Sequence, residues 1–342
     1  MKKALFVTIL GWAIFLFLFI LYLGKSIFIP LIFAIFFWMI IKSIVSLIDK
    51  IHLFKKFIPS WFKIIISFAF MIFLFMILLM IVYKNAVTLA NSYEKYIENI
   101  NSIIFKIENK LRINIENEIE IFINNFDFKN ILLSIFNFSS NLISSIFLII
   151  LYTVFLFFEE KFLKNKLKKI FEVKQIEEIN DTIDRIEESV TKYIGIKTFV
   201  SLLTGLLSYL VLLIMNVDFA IFWAFLIFVF NFVPIIGSII ATLFPVLFFI
   251  LQTSIILKGV ILLIIITSIQ MFIGNFLEPK ITSDYINISP IFILLSITLW
   301  GFLWGISGVL LCTPLISIIL IIFSKFQKTR AISILLSKDG NI

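Results

Sequence analysis

The sequence is short of the residues from which reactive and metal-binding sites are usually built. It contains one cysteine, Cys312, and one histidine, His52. A disulfide within the chain needs a second cysteine, and a Cys/His metal site needs several such ligands. We therefore expect no internal disulfide, no metal site, no cofactor and no enzymatic activity.

Charged residues are also scarce, at 15% of the chain against about 25% in soluble domains. Hydrophobic residues make up 61%, which leaves too little polar surface to enclose a water-soluble core. The excess of 29 basic over 21 acidic residues is mostly lysine, and it indicates an AT-rich base composition rather than nucleic-acid binding. The composition predicts an all-α polytopic integral membrane protein, with the lipid bilayer as a partner and no nucleic acid.

Two kinds of catalytic machinery are missing from the sequence. No glycine-rich phosphate-binding motif occurs, which excludes a pump driven by its own bound nucleotide. The segment Gly305-Ile306-Ser307-Gly308 has the G-x-S-G form of intramembrane serine proteases. However, the chain has no histidine after His52 that could activate Ser307, so a protease is disfavoured.

Long hydrophobic runs, each able to cross ~30 Å of hydrocarbon, divide the chain. The first run, 4–23, is interpreted as a retained span rather than a signal peptide. Lysine-rich loops beside the spans place both termini in the cytoplasm, in a bacterial cytoplasmic (inner) membrane. About eight spans result if 219–251 and 290–323 each cross once. Either stretch could instead be a re-entrant hairpin or two half-helices.

This pattern predicts six regions in chain order. They are an N-terminal three-span region (1–83), an extracytoplasmic amphipathic helical segment (84–141), a fourth span (142–158), a cytoplasmic amphipathic helical segment (159–198), a membrane transport core (199–324) and a cytoplasmic tail (325–342).

Polar residues interrupt the predicted core at two places. Around Asn231, Pro234 and Gly237 a helix would break, because proline removes a backbone donor and glycine permits unusual backbone geometry. The freed backbone groups could face a solute, or the break could only shape packing. Asp218, further upstream, is interpreted as an interfacial loop residue.

The second place follows nineteen residues without a charge, 259–277. Gln270, Asn275, Glu278, Pro279 and Lys280 cluster there. Charges near hydrocarbon usually face a cavity or a partner, so Glu278 could relay a proton or cation. The alternative is an interfacial loop whose charges reach water.

Four short motifs occur in a fixed order along this half of the chain. They are Asn231-Phe232-Val233-Pro234-Ile235-Ile236-Gly237, Asn275-x-x-Glu278-Pro279-Lys280-Ile281, Leu299-Trp300-Gly301-x-x-Trp304-Gly305-Ile306-x-Gly308 and Thr313-Pro314-Leu315. Together they resemble the autoinducer-2 exporter family of bacterial membrane permeases. The resemblance implies a permease of about eight spans that moves small solutes outward. It also implies a homo-oligomer, and some members exchange sodium or lithium for protons.

The chain departs from the family pattern at two positions. A glycine usually follows the Pro-Lys-Ile stretch, and here Ser283-Asp284-Tyr285 stands there, which leaves the substrate in doubt. Alanine is common where Cys312 lies, which is a small-for-small exchange.

We predict a permease that exports a small solute, autoinducer-2 or a similar signal, by alternating access. An ion or solute gradient would drive it, with sodium or the proton as coupling ion. Two alternatives stay open, a sodium (lithium)/proton antiporter and a non-transporting membrane scaffold. The predicted pathway residues are Asn231, Pro234, Gly237, Gln270, Asn275, Glu278, Pro279 and Lys280, and the residues predicted for helix flexibility and packing are Gly301, Gly305, Gly308 and Pro314.

Overall fold

The computed structural model describes residues 2–50, 58–91, 145–160, 173–234, 236–282 and 288–340, with a few single positions near 96–102 and 162–170. Most of the predicted extracytoplasmic segment 84–141 lies outside the described residues. So do His52 and the Ser283-Asp284-Tyr285 departure.

Every regular element in these described ranges is helical, and the ranges contain no strand, which confirms the all-α prediction. The helices are α1 (Lys2–Leu23), α2 (Lys25–Lys50), α3 (Ser60–Asn91), α4 (145–160), α5 (Val173–Ile214), α6 (Ala220–Phe230), α7 (Ile236–Thr253), α8 (Ile256–Phe272), α9 (Glu278–Thr282), α10 (Pro290–Trp304), α11 (Ile306–Lys325) and α12 (Arg330–Leu336). A π-helical turn, Ile273–Leu277, joins α8 to α9.

Several helices have the length and surface of membrane spans. Five helical stretches among the described residues are long and apolar enough to cross a bilayer: Lys25–Lys50, Ile176–Ile214, Ile236–Thr253, Ile256–Ile281 and Ile306–Lys325. Large apolar side chains on α1, such as Trp12 and Phe17, are more than 60% exposed. In water each such side chain would forgo about 1.5–3 kcal/mol of burial energy, whereas lipid solvates it. The protein is thus a polytopic membrane protein, as predicted.

The described helices form two compact units. Unit 1 contains Met1–Phe68, Ser144–Gly195 and Thr282–Ile342, and unit 2 contains Ala69–Ile143 and Ile196–Ile281. Helix α5, of 42 residues, passes from unit 1 into unit 2 after Gly195. It also continues through residue 198, where the sequence analysis placed a boundary between a cytoplasmic segment and the transport core.

Unit 1 is built around tryptophan packing and ion pairs. The rings of Trp300 and Trp304 lie 4.7 Å apart, and the Trp304 Nε1–H donates to the carbonyl oxygen of Leu21 at 3.0 Å. This bond joins α10 to α1 and satisfies an indole N–H that is otherwise buried in apolar surroundings.

The ion pairs of unit 1 link the ends of several helices. The Lys42 ammonium lies 2.7 Å from a Glu187 carboxylate oxygen and 3.3 Å from one of Glu160. The Lys325 ammonium lies 2.6 Å from Asp181. These contacts fix the polar ends of α2, α4, α5 and α11 relative to one another.

Both stretches whose path the sequence left open form two helices instead of one continuous crossing. Helix α6 has 11 residues and, at 1.5 Å per residue, is only about 16 Å long. A turn over residues 231–234 then leads to α7. Helices α10 and α11 meet at Gly305, whose φ of 61° stops the first helix. The prediction of broken segments in this half is confirmed.

The second helix of each pair begins against the end of the first. A Cβ added at Gly237 would lie 1.8 Å from the carbonyl oxygen of Phe230, and one at Gly308 would lie 1.9 Å from that of Trp300. No larger residue fits either position without moving backbone. The two glycines therefore permit the close approach that folds each stretch back on itself.

Candidate functional site

A stripe of polar side chains runs along α5 inside unit 2. Lys197, Ser201, Thr204 and Ser208 are spaced four, three and four residues apart, so they lie on one face of the helix. Each is at most 6% exposed. The Ser208 hydroxyl has no hydrogen-bond partner among the described residues. Buried polar groups are uncommon in a membrane helix unless they face other polar groups or a cavity.

The break between α6 and α7 brings a side-chain amide to this stripe. The Asn231 Nδ2–H donates to the Ser201 hydroxyl oxygen at 3.0 Å. Asn231 lies directly after α6, where the chain turns before Pro234, so the break itself sets the position of the amide. The backbone N–H of Asn231 still bonds to the Ile227 carbonyl, which holds the start of the turn.

The π-helical turn places the single carboxylate of the site. Across this turn the Glu278 N–H bonds to the carbonyl oxygen of Ile273, five residues back, so the chain here holds one residue more than an α-helical turn. Such turns are frequent at functional sites. The Lys197 ammonium lies 2.6 Å from Glu278 Oε1. The lysine side chain is 7% exposed and the glutamate side chain 26%.

Lys197, Asn231 and Glu278 line a cavity of about 550 Å³ within unit 2. Its walls come from α5, α7, α8, the turn after α6 and the π-helical turn. The apolar wall is made chiefly of Val233, Ile239, Leu243, Leu263 and Met271, and the polar groups are Lys197, Asn231, Ser238, Thr242, Thr267, Gln270, Asn275 and Glu278. A mostly apolar pocket with a few convergent polar groups is the usual form of a small-molecule site.

Five of the eight predicted pathway residues line this cavity, namely Asn231, Pro234, Gln270, Asn275 and Glu278. The other three do not. Gly237 packs on the backbone of Phe230, and Pro279 and Lys280 are exposed on the short helix α9. The role of the five lining residues in binding solute stays a prediction.

The predicted flexibility residues Gly301, Gly305, Gly308 and Pro314 all lie in unit 1. Gly308 and Pro314 are buried within α11. A Cβ at Gly301 would meet the Val309 side chain at 3.0 Å. Gly301 and Gly308 therefore serve the tight packing of α10 on α11, whereas Gly305 forms the break between the two helices. The contribution of all four positions to motion stays a prediction.

Sequence reasoning missed Lys197, Ser238, Thr242 and Thr267. Lys197 was assigned to the end of a cytoplasmic amphipathic segment, because the apolar run of the next span begins after it. The polar stripe on α5 carried the missing signal. Its four-three-four spacing crosses the assumed boundary and indicates one continuous helix with a polar face.

A second polar cluster in unit 2 holds the turn between α5 and α6. The Tyr96 hydroxyl donates to Asp218 Oδ2 at 3.0 Å, and the Asp218 N–H donates to Gln252 Oε1 at 2.8 Å. Burial and the neighbouring Asp218 carboxylate raise the pKa of Tyr96 well above its ordinary value of 10.0. Asp218 thus anchors Tyr96 and α7 at this turn.

Comparison with known proteins gives this geometry its context. The chain matches the family described as "AI-2E family transporter" over residues 10–328. It is 39% identical over 194 residues to a candidate transport protein of Borreliella burgdorferi, covering 56% of this chain and 54% of that one. It is 32% identical over 203 residues to the AI-2 transport protein TqsA of Escherichia coli K12, covering 58% and 57%.

A candidate transport protein of Haemophilus influenzae is 34% identical over 178 residues, covering 52% of this chain and 51% of that one. The aligned part thus spans about half the length of the curated relatives that the chain matches. The family match, in contrast, runs through both units and includes every residue that lines the cavity. The chain belongs to the AI-2E family of membrane transporters.

Proposed function

We propose that this protein exports a small polar solute and that the cavity of unit 2 is its binding site. The observation that carries the proposal is the cavity itself. It combines an apolar wall with a Lys197–Glu278 ion pair and three side-chain amides, beside two interruptions of the helices. The relative TqsA is named for transport of autoinducer-2, so that signal or a similar small molecule is the first solute to test.

Alternating access is the mechanism that this arrangement supports best. Transporter sites often lie where helices are interrupted, because unwound backbone and helix ends can meet the solute there. Here the turn at Asn231 and the π-helical turn both border the cavity. A rearrangement at these interruptions would change the walls of the cavity while leaving the continuous helices α5 and α8 intact.

An external gradient would drive such transport. The sequence contains no phosphate-binding motif, so sodium, the proton or the solute gradient itself is the candidate source of energy. A sodium (lithium)/proton antiporter is the second candidate function. It is favoured by Glu278, the one acidic residue among the described residues that line the cavity, which is accompanied by amide and hydroxyl oxygens of the kind that bind hard cations.

We further propose a bacterial inner-membrane location with both termini in the cytoplasm, and a homo-oligomeric assembly. Lys42, Lys325 and their acidic partners supply the charged helix ends of unit 1. By the positive-inside rule such lysines favour the cytoplasmic side. The regions 1–83, 84–141, 142–158, 159–198, 199–324 and 325–342 stay the proposed division along the chain.

Efflux from proteoliposomes that contain the full chain tests this function. Labelled autoinducer-2 and ²²Na⁺ are loaded separately, with and without an imposed proton gradient. Asn231→Ala and Glu278→Gln are compared with wild type, and Lys258→Met serves as the control because Lys258 is exposed and does not line the cavity.

Gradient-dependent efflux of autoinducer-2 that both cavity variants reduce supports the exporter. Efflux of sodium alone favours the antiporter. If the two cavity variants transport as fast as wild type and Lys258→Met, the site assignment is wrong.

A further inference from the structure

The charges of the cavity are few and paired. Among the described residues that line it, Lys197 and Glu278 are the only titratable ones, and they contact each other at 2.6 Å. Breaking a buried pair by removing one partner is strongly unfavourable, because it strands the other charge. Any transport step that separates these two side chains must therefore supply a replacement charge.

The two partners are held very differently. Lys197 is more than nine-tenths buried and lies within the 42 residues of α5, far from either helix end. Glu278 begins the five-residue helix α9, directly after the π-helical turn, and its side chain is about a quarter exposed. Of the two, Glu278 is the partner that can leave, and Lys197 is the charge left behind.

Uncharged hydrogen-bond donors line the same cavity as Lys197 and Glu278. The side-chain amides of Gln270 and Asn275, which can each donate hydrogen bonds, border the same cavity. An oxyanion placed near Lys197 could accept hydrogen bonds from these amides as well as from the ammonium. Charge-assisted bonds of this kind are stronger than those between neutral groups.

From this geometry we infer that the transported solute carries a negatively charged oxygen group, and that this group binds Lys197 in place of Glu278, which takes up a proton from water in the same step. The inference rests on the proposed function and names its substrate class as small organic oxyanions. The net charge of the pair is zero before the exchange. It is zero afterwards too, with Lys197 and the anion charged and Glu278 neutral.

No other titratable group is among the described residues that line the cavity. Helices α6 and α7 contain no titratable residue. On α5, the buried Tyr193 lies four residues before Lys197, about 6 Å along the helix and outside the described cavity lining, and Tyr209 lies twelve residues beyond it, about 18 Å. On α8, Lys258 is twenty residues before Glu278, about 30 Å. Lys280 lies on α9 itself, exposed and outside the cavity lining.

Binding of simple oxyanions to the purified full chain in detergent tests the inference. The probes are acetate, lactate and inorganic phosphate as choline salts, each titrated at pH 5.5 and pH 8 and followed by thermal unfolding. We expect at least one probe to raise the unfolding temperature of wild type, with at least tenfold tighter apparent binding at pH 5.5. In Glu278→Gln, which is neutral at both values, binding is expected to be tight at both.

Lys197→Met is expected to abolish binding of every probe, and Lys258→Met is the matched control with wild-type behaviour. Should Glu278→Gln fold poorly because Lys197 is stranded, the double variant Lys197→Met/Glu278→Gln restores neutrality. It is expected to fold and to bind no oxyanion.

Two results overturn the inference without touching the proposed function. In the first, a neutral solute such as glycerol or autoinducer-2 stabilises the chain, but no oxyanion does so at either pH. In the second, the shift follows sodium when sodium and choline salts of one anion are compared. By contrast, wild type could show no efflux of autoinducer-2 and still bind oxyanions in a way that Lys197→Met abolishes. That result would reject only autoinducer-2 as the solute.

Discussion

The two broken helix pairs, α6 with α7 and α10 with α11, share one folding device and differ in what surrounds it. In each, a glycine near the start of the second helix lies against a carbonyl at the end of the first. In the first pair, the two helices are joined by a turn that contains Asn231, and this turn borders a cavity. The second is closed at Gly305 and packed by Trp300 and Trp304. The same backbone approach is therefore accompanied by a cavity with polar lining residues at the first pair and by tryptophan packing at the second.

The largest effect is expected from adding one methyl group to the glycine that lies against the preceding helix in either pair. Gly237→Ala and Gly308→Ala both place a Cβ less than 2 Å from a backbone oxygen. Overpacking costs about 1–3 kcal/mol or more when backbone must move, so both variants should unfold at lower temperature in detergent. Gly195→Ala, on α5 with open space around it, is the control and should be as stable as wild type or more stable.

If the difference between the pairs is functional, transport per folded molecule should fall in Gly237→Ala and not in Gly308→Ala. Equal losses of transport in the two variants would show that both pairs take part in the transport cycle.

The next largest effect is expected at Asn231, a polar residue that has no counterpart in the second pair. Asn231→Ala removes the bond to Ser201 and one amide of the cavity. We expect about a tenfold loss of efflux, equivalent to about 1.4 kcal/mol, and a loss of about 1 kcal/mol in the free energy of unfolding for the hydrogen bond to the buried Ser201. Proteoliposome efflux and thermal unfolding measure the two quantities separately. A loss of stability without a loss of specific activity would make Asn231 a packing residue.

A change in the second pair should lower stability without lowering efflux. Trp304→Phe keeps most of the ring but removes the bond from the indole N–H to the Leu21 carbonyl, at a cost of about 1–2 kcal/mol. Thermal unfolding should detect this cost while efflux per folded molecule stays at the wild-type level. Slow efflux from a fully folded Trp304→Phe protein would argue against a purely structural second pair.

The smallest effect concerns the turn that precedes the first pair. Tyr96→Phe removes the bond to Asp218, worth about 0.5–1.5 kcal/mol. Because the folded state raises the pKa of Tyr96 above 10.0, this stabilisation is present below pH 10 and is lost as pH rises through the higher, folded-state value. Wild type should lose more thermal stability between pH 8 and pH 11 than Tyr96→Phe does. Parallel losses would mean that Tyr96 does not contribute.

Much of the fold follows from the sequence, since hydrophobic runs of membrane length leave few alternatives to helices. The helix interruptions at Pro234 and Gly305 can also be predicted from the sequence, because proline and glycine break a helix through their own backbone geometry. Asn231, Gln270, Asn275 and Glu278 were grouped because polar residues are rare within such runs. Their convergence on one cavity depends on how α8 packs against α7, which no local pattern encodes.

Lys197 shows where this reasoning stopped. A single lysine between an amphipathic segment and an apolar run is typical of the edge of the membrane, so the sequence predicts that Lys197 ends the cytoplasmic segment 159–198. Only the continuity of α5 reveals that the side chain points into a protein interior. The family match does not alter this, since it identifies a class of protein and not the partner of Glu278.

The π-helical turn at Ile273–Leu277 makes the cavity depend on chain length as well as on side-chain identity. Deleting one residue there, for example Gly274, would restore an ordinary α-helix and rotate everything after it by about 100°. Glu278 would then point away from Lys197 although every other lining residue was still encoded. A loss of one codon could thus erase the ion pair more completely than most substitutions, and a gap at this position in a related sequence would mark a different site.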